Sequence, residues 1–528
     1  MGVATLTPPA QRMGEELVYP DGRHELADDS SIRNSPLYNK DLAPVKLKDR
    51  TWNTYNYMAL WVGMSHNLPT YGLAAGLVLL GMAWYQAIIT ISLANFIVLV
   101  PMLLNSHAGT KYGIPFPVFA RASFGVFGSN VAALLRAGVA CGWFGIQTWI
   151  GGEALYTLAG SLSFLGSGWT NSSMVLGQHW TLWLSFAIFW VLNIFIILRG
   201  MNTIRRFENW AAPFVILVAV FLLVWMVTKA GGLGPIVSQH GTVGWGAPFW
   251  KLFFPALMAQ IAFWSTLSLN MPDFTRFSKS QRAQVIGQTL GLPTTMTIFP
   301  LLAVLITSAT VVVYGKAIWD PIVLTSKFNS PIVIVLALFT LAVATLSVNI
   351  AANVVSPSYD FSNAVPKWIS FRTGGLITGV LGILIQPWRL YSDPHVYIFT
   401  WLNFYGGALG AIAGVLIADY WVMRNANLKL GDLYRVNGEY RYNAGVNWRG
   451  VISLLVGGVL AVGGAYTTPG TPGPFPAKGV IPFLYQPVTF YDYSWVVGLV
   501  AAFVLYLALS ALFPAGAVRR QAQAVAAT

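Results

Sequence analysis

Trp143 and Gln147 stand four residues apart in the run Gly142, Trp143, Phe144, Gly145, Ile146, Gln147, Thr148, Trp149. On a helix that spacing sets an indole and a carboxamide one above the other on a single face. The pair suits a flat heterocycle carrying N–H and C=O groups, because the ring stacks on the indole while the amide bonds both kinds of group on its edge. The competing reading is structural: the indole packs on a neighbouring helix and the amide makes an interhelical hydrogen bond. Asn349 and Asn353 repeat the four-residue spacing beside the small Ala351 and Ala352. A buried amide needs a partner, so this second pair is either a ligand-binding edge or glue between helices.

Three ionisable residues fall inside apolar runs: His66, Arg136 and Glu153. Each costs roughly 2.5–3.5 kcal/mol at the centre of a membrane helix and so asks for a reason. Arg136 lies three turns from Gln147, too far to clamp the same ligand. Glu153 is turned away from the Trp143 face toward a neighbouring helix, and His66 titrates near neutral pH when unperturbed. For His66 and Glu153 the choices are a coupling proton or a capping or interhelical role.

Other chemistries lack their residues. The chain has no P-loop, no His-Glu-x-x-His helix, no nucleophile elbow and no acid pair with a base, so an enzyme is not expected. It also has no repeated filter sequence of the kind that builds a channel. The single cysteine, Cys141, excludes an intrachain disulfide, and no Cys/His spacing suits zinc; no cofactor or structural metal is expected.

The elements that position these residues follow from composition. Of 528 residues 55% are hydrophobic and 9% charged, against roughly 25% charged in soluble domains, so most of the surface must face lipid. The excess of Lys and Arg is dispersed between apolar runs, which fits membrane loops and not a nucleic-acid patch. With about 20 apolar residues needed per crossing, the chain reads as an all-α integral membrane protein of twelve helices, near 54–80, 83–106, 127–160, 180–199, 208–229, 249–271, 288–314, 331–355, 374–388, 396–422, 450–467 and 494–514.

An even number of crossings puts both termini on one side, and with that side cytoplasmic the inner segments hold 24 Lys and Arg against six outside. The expected location is the cell inner (plasma) membrane. Residues 1–50 form a polar cytoplasmic tail without the apolar core of a signal peptide, and 516–528 form a second tail. Helices 1 and 6 are interrupted, at Ser65-His66-Asn67-Leu68-Pro69 and from Trp264 to Pro272-Asp273. Open backbone is tolerated at membrane depth where it lines a cavity or binds something. Interruptions five helices apart fit two inverted five-helix repeats, 51–230 and 231–425, followed by helices 11 and 12 in 426–515.

The chain resembles the nucleobase:cation symporter-1 family over residues 40–515. The resemblance rests on Arg50-Thr51-Trp52-Asn53, Ser65 to Pro69, Lys111 to Pro117, Trp143 to Thr148, Asn270 to Phe277 and Ser347 to Asp360. Within the family it is most similar to bacterial allantoin permeases, and less so to hydantoin and uracil carriers. It implies a five-plus-five inverted-repeat transporter with two extra helices, working by alternating access and importing a small ring with a cation. It further implies substrate binding by Trp143, Gln147, Trp264, Asn353 and Asn67. The implied cation site comprises the backbone of Gly63 and His66, that of Ala344, and the hydroxyl of Ser347. Here the sequence departs from the family pattern, since Val348 replaces a second hydroxyl and leaves a hard cation short of oxygen. A proton, carried by His66 or Glu153, is therefore expected over sodium. The expected cargo is an allantoin- or hydantoin-type ureide, with uracil or a purine as the alternative. An amino-acid carrier and a non-transporting sensor are weaker readings; the first lacks the Gly-x-Gly break whose amides hold a carboxylate.

Overall fold

The computed structural model describes residues 10–162, 166–199, 216–328, 330–485 and 489–514. The start of the fifth expected helix, the basic residues Arg205, Arg206, Arg519 and Arg520, and the C-terminal tail lie outside them. Among the described residues seven helices are long and apolar enough to cross a membrane, and five shorter apolar helices accompany them; each of the twelve expected crossings overlaps one of these. Large side chains such as Phe96, Val191, Leu217, Leu336, Phe339 and Leu384 point outward and exposed, the apolar surface that a bilayer would cover.

Crossing 1 is split into α1 (Thr54–Ser65) and α2 (Leu68–Leu79). The local sequence dictates the break. Asn67 is the N-cap of α2, its carbonyl oxygen accepting Thr70 N–H at 2.7 Å, and Pro69 sits in the first turn, where a missing N–H costs nothing. Crossing 2 is α3 (Trp84–Tyr112), followed by the short α4 (Phe116–Phe124). Crossing 3 is α5 (Ser129–Gly160), crossing 4 is α6 (Trp180–Arg199), and the described part of crossing 5 is α7 (Ile216–Lys229).

Crossing 6 is split again, into α8 (Ala247–Phe263) and α9 (Ser265–Asn270), with Trp264 at the joint. Ser265 and Ser268 donate their hydroxyls back to Ala262 O and Ser265 O, a competition with the backbone ladder that loosens helices. Crossing 7 is α10 (Gln281–Tyr314), and α11 (Pro321–Thr325) lies in the connection that follows. Crossing 8 is α12 (Pro331–Asn353) continued by α13 (Val355–Ala364), and crossing 9 is α14 (Phe371–Leu384). Crossing 10 is α15 (His395–Met423), and α16 (Trp448–Val462) and α17 (Ser494–Leu512) are crossings 11 and 12.

α5 is the central post of the site. It packs along α12 and α13 and against α6 and α14. Small residues allow this: a methyl group on Gly145 would overlap the Gly382 carbonyl of α14, and one on Gly142 would overlap the Trp401 ring of α15.

Two features depart from a purely helical chain with a loose tail. Residues of the N-terminal segment form a three-stranded antiparallel sheet, β1 (Gln11–Met13), β2 (Glu16–Val18) and β3 (His24–Leu26), and a hairpin of β4 (Met174–Val175) and β5 (Gln178–His179) lies between crossings 3 and 4. The segment is also fastened to the transmembrane core. Arg121 donates to Leu37 O at 3.2 Å, Arg276 to Asp41 O at 3.0 Å and Tyr434 to Leu42 O at 2.7 Å. Residue 50 thus marks a change in polarity and not an end to packing. Arg121 and Arg276, two of the 24 Lys and Arg of the inner segments, are buried latches of the basic end.

Candidate ligand and cation site

Trp143 is fixed by its neighbours. Its indole N–H donates to the Tyr405 hydroxyl of α15 at 3.1 Å, and that hydroxyl donates to Ala262 O of α8 at 2.9 Å. Phe263 meets it edge-on at a centroid distance of 5.1 Å, with Tyr397 and Trp401 also edge-on at 6.0 and 6.3 Å. One turn further along α5, Gln147 is buried and its Oε1 has no partner among the described residues. Trp264, at the joint of crossing 6, is buried with its indole N–H unpartnered, and lies perpendicular to Trp61 at 5.1 Å and to Phe263 at 4.9 Å. The Trp143–Phe263–Trp264 contacts therefore bring crossings 3 and 6 together at the break.

The two asparagines of crossing 8 divide their work. Asn349 Nδ2 lies within bonding distance of Thr148 Oγ1 (3.1 Å), Phe144 O (3.2 Å) and Asn193 Oδ1 (3.1 Å), and Asn349 Oδ1 accepts from Asn353 Nδ2 at 3.0 Å. Asn349 is thus a brace between crossings 3, 4 and 8, and the expected double amide edge reduces to Asn353 alone. Asn353 retains its second N–H and its Oδ1 for a ligand. Asn67 is more committed: its carbonyl oxygen caps α2 and its Nδ2 donates to Met64 O at 2.5 Å. One N–H and one lone pair remain.

The break in crossing 1 also frees two carbonyls. In a continuous helix Asn67 N–H would bond Gly63 O and Thr70 N–H would bond His66 O. Here Asn67 N–H turns to Ser65 O at 3.1 Å and Thr70 N–H to Asn67 Oδ1. Gly63 and His66 are therefore the positions whose carbonyl oxygens lose their helical donors, which suits cation ligation. Crossing 8 packs against α1 and offers Ala344, Ser347 and Val348, all buried. Val348 brings no oxygen, so the donor set is two freed carbonyls, the Ala344 carbonyl and one hydroxyl.

The membrane-depth ionisable groups have separate surroundings. Arg136 and Asp360 form an ion pair at 2.7 Å, each with 0% of its side chain exposed. That pair joins α5 to α13 and removes Arg136 as a ligand clamp. His66 bonds Val62 O through Nδ1 at 2.5 Å and lies against Phe299 at 4.8 Å, turned toward crossing 7. Since a carbonyl accepts, Nδ1 carries the proton and only Nε2 is free to titrate. Glu153 is half-buried and lies within electrostatic range of Asp320, at the head of α11, and of Tyr391. No salt-bridge partner faces either carboxylate among the described residues. Burial holds the Asp320 carboxyl up, at about 6.

Sequence reasoning missed Asp320, Tyr405 and Gln260. Gln260 is a buried amide four residues before Trp264 with both polar atoms unpartnered. Its spacing to Trp264 is the Trp143–Gln147 spacing in reverse, a signal present in the sequence.

Comparison with known proteins adds independent information. Residues 44–498 match the family described as permeases for cytosine/purines, uracil, thiamine and allantoin. The chain is 40% identical to the allantoin permease of Bacillus subtilis (strain 168), over 92% of this chain and 96% of that protein. It is 42% identical to the purine-uracil permease NCS1 of Arabidopsis thaliana, over 83% of this chain and 73% of that protein. Among solved structures it is similar to Mhp1, a nucleobase-cation-symport-1 family transporter in a closed conformation with bromovinylhydantoin bound. That likeness has a TM-score of 0.71 and 26% identity, over 90% of this chain and 97% of that one.

Proposed function

Because the chain belongs to the family of permeases for cytosine/purines, uracil, thiamine and allantoin, we propose that it is a cation-coupled importer of a small neutral planar ureide. An allantoin- or hydantoin-type ring is the first choice, and alternating access is the mechanism. The observation that carries the reading is the set of unsatisfied groups around one aromatic tier: Gln147 Oε1 and Trp264 Nε1 are buried without partners among the described residues beside an anchored Trp143. A ring stacked on an indole gains about 1–3 kcal/mol, taking the value for bases on aromatic side chains. Gln147, Asn353 and the spare positions on Asn67 would read its edge, and a site built this way rejects rings that lack the matching groups.

Uracil or a purine is the second reading, favoured by the likeness to the purine-uracil permease. An amino-acid cargo is disfavoured by the break in crossing 1, Ser65-His66-Asn67-Leu68-Pro69, which has no Gly-x-Gly and whose Asn67 and Thr70 amides are already bonded. The charge distribution supports placement in the plasma membrane with both termini cytoplasmic, the basic end facing inward.

The coupling ion in this proposal is a proton. Four oxygens without a second hydroxyl at 348 make a poor sodium site, and Glu153 beside Asp320 supplies a protonatable pair. Glu153 is favoured over His66, whose Nδ1 proton is committed to Val62 O. The test is uptake of radiolabelled allantoin, hydantoin and uracil into sealed cells, with sodium replaced by choline and, separately, with a protonophore. Accumulation of unchanged ureide that survives sodium removal and collapses with the protonophore is expected. Abolition by sodium removal alone contradicts the proton assignment, and chemically altered cargo contradicts transport.

A further inference from the structure

Gln260 has 1% of its surface exposed, and neither Oε1 nor Nε2 finds a hydrogen-bond partner among the described residues. A carboxamide offers two N–H donors and two lone pairs. Leaving such groups unmade in a dry interior costs about 1–3 kcal/mol each, so a fully idle buried amide implies a missing partner.

Its direction is set by the helix. At 100° per residue, Gln260 on α8 points between Phe263 and Trp264. Phe263 touches Trp143 of crossing 3 and Trp264 touches Trp61 of crossing 1. The Gln260 side chain is therefore aimed between crossings 3 and 1, on the side of α8 where the aromatic tier stands.

The register completes the picture. In crossing 3 the amide follows its indole by four residues (Trp143, Gln147), and in crossing 6 it precedes it by four (Gln260, Trp264). Odd and even crossings run in opposite directions, so both amides lie on the same side of their indoles. The result is a tier holding two indoles and, about 6 Å further along the membrane normal, a tier holding two carboxamides. Gln147 Oε1 is unpartnered like both atoms of Gln260.

We propose that Gln260 is a substrate-contacting, specificity-determining residue, and that the preferred cargo is a ureide ring bearing a second urea- or amide-type arm. The ring occupies the Trp143–Gln147 side, and the arm reaches across to Gln260. This rests on the ring-binding reading of Trp143 and Gln147 given above.

Allantoin and hydantoin share one ring and differ by a ureido arm, which makes them the probe pair. KM is measured for uptake of each radiolabelled compound in sealed cells making the wild type, Gln260→Leu or Gln147→Leu, with the amount in the membrane quantified. The wild type is expected to favour allantoin, and Gln260→Leu to raise its KM about tenfold more than that of hydantoin, the loss of one or two hydrogen bonds. Gln147→Leu raises both. Equal effects of Gln260→Leu on the two compounds, or no effect, overturn the proposal. Wild-type cells that take up neither ring overturn the underlying reading instead. Should Gln260→Leu fail to reach the membrane, competition in the wild type decides: unlabelled allantoin must inhibit hydantoin uptake better than unlabelled hydantoin does, and equal inhibition overturns the arm contact.

Discussion

Trp143 is tied to Tyr405 by a 3.1 Å hydrogen bond from the indole N–H to the phenol oxygen, and the Tyr405 hydroxyl in turn donates a hydrogen bond to Ala262 O at 2.9 Å. The relay links crossings 3, 10 and 6, and it ends two residues before the joint at Trp264. The platform for a ring is thereby registered to the backbone break, so movement of either half of crossing 6 is felt at the indole.

Tyr405→Phe keeps the ring and its packing while cutting both bonds. With each bond contributing about 1 kcal/mol, the expected outcome is a rise in uptake KM of up to about thirtyfold and a normal amount of protein in the membrane. Transport kinetics alongside membrane quantification check it.

Asn349 and Asn353 are expected to separate under substitution. Asn353→Ala removes a proposed ligand contact and the donor to Asn349 Oδ1, and should abolish uptake with only a small loss of stability. Asn349→Ala also strands Thr148 and Asn193 beside a void, so both uptake and thermal stability in detergent should fall. Equal melting temperatures for the two variants contradict the division of roles.

The Arg136–Asp360 pair is wholly buried. Removing one partner leaves an uncompensated charge, a loss of about 3–5 kcal/mol, whereas replacing both with apolar residues of similar size is far milder. Arg136→Met should therefore accumulate poorly in the membrane, and the double variant Arg136→Met/Asp360→Leu should recover. Quantifying folded protein by fluorescence-detected size exclusion tests this.

Val348→Thr restores a hydroxyl beside Ser347, next to the carbonyls freed at Gly63 and His66. Under the proposed proton coupling, uptake by this variant is expected to depend on sodium more strongly than uptake by the wild type. An identical response to sodium in both proteins contradicts the assigned cation position.

Under the proposed proton coupling, Asp320 would supply the pH dependence. Its carboxyl is raised by burial to about 6, so it binds a proton as pH falls through that value and releases it above. With a proton as co-substrate, uptake should increase as external pH is lowered through about 6, and Asp320→Asn or Glu153→Gln should flatten the profile. An unaltered profile in both variants excludes the pair.

Much of this architecture is legible in the sequence for physical reasons. Twelve apolar runs are dictated by bilayer thickness, the break at Asn67-Leu68-Pro69 by capping and a missing N–H, and the Trp143–Gln147 pair by helical period. Contacts between distant segments are not legible. Nothing local tells Asn349, which braces three helices, from Asn353, which is left with spare groups. Asp320 comes within electrostatic range of Glu153 because the connection after crossing 7 folds inward, and Arg121 and Arg276 read as loop charges because their acceptors, Leu37 O, Asn363 and Leu433 O for the first and Asp41 O and Tyr359 for the second, come from distant segments. Gln260 carries the Trp–Gln spacing in reverse, but that spacing alone does not separate a ligand contact from interhelical glue, and its hydrogen-bonding positions, empty among the described residues, show only in the fold.

The most direct test is equilibrium binding of allantoin to the purified protein in lipid nanodiscs, comparing the wild type with Trp143→Ala and Gln147→Ala. Loss of about 1–3 kcal/mol of stacking corresponds to a roughly five- to 150-fold weaker Kd for Trp143→Ala, with a further measurable loss for Gln147→Ala, in proteins of matched stability. Unchanged Kd values in both variants would contradict the account.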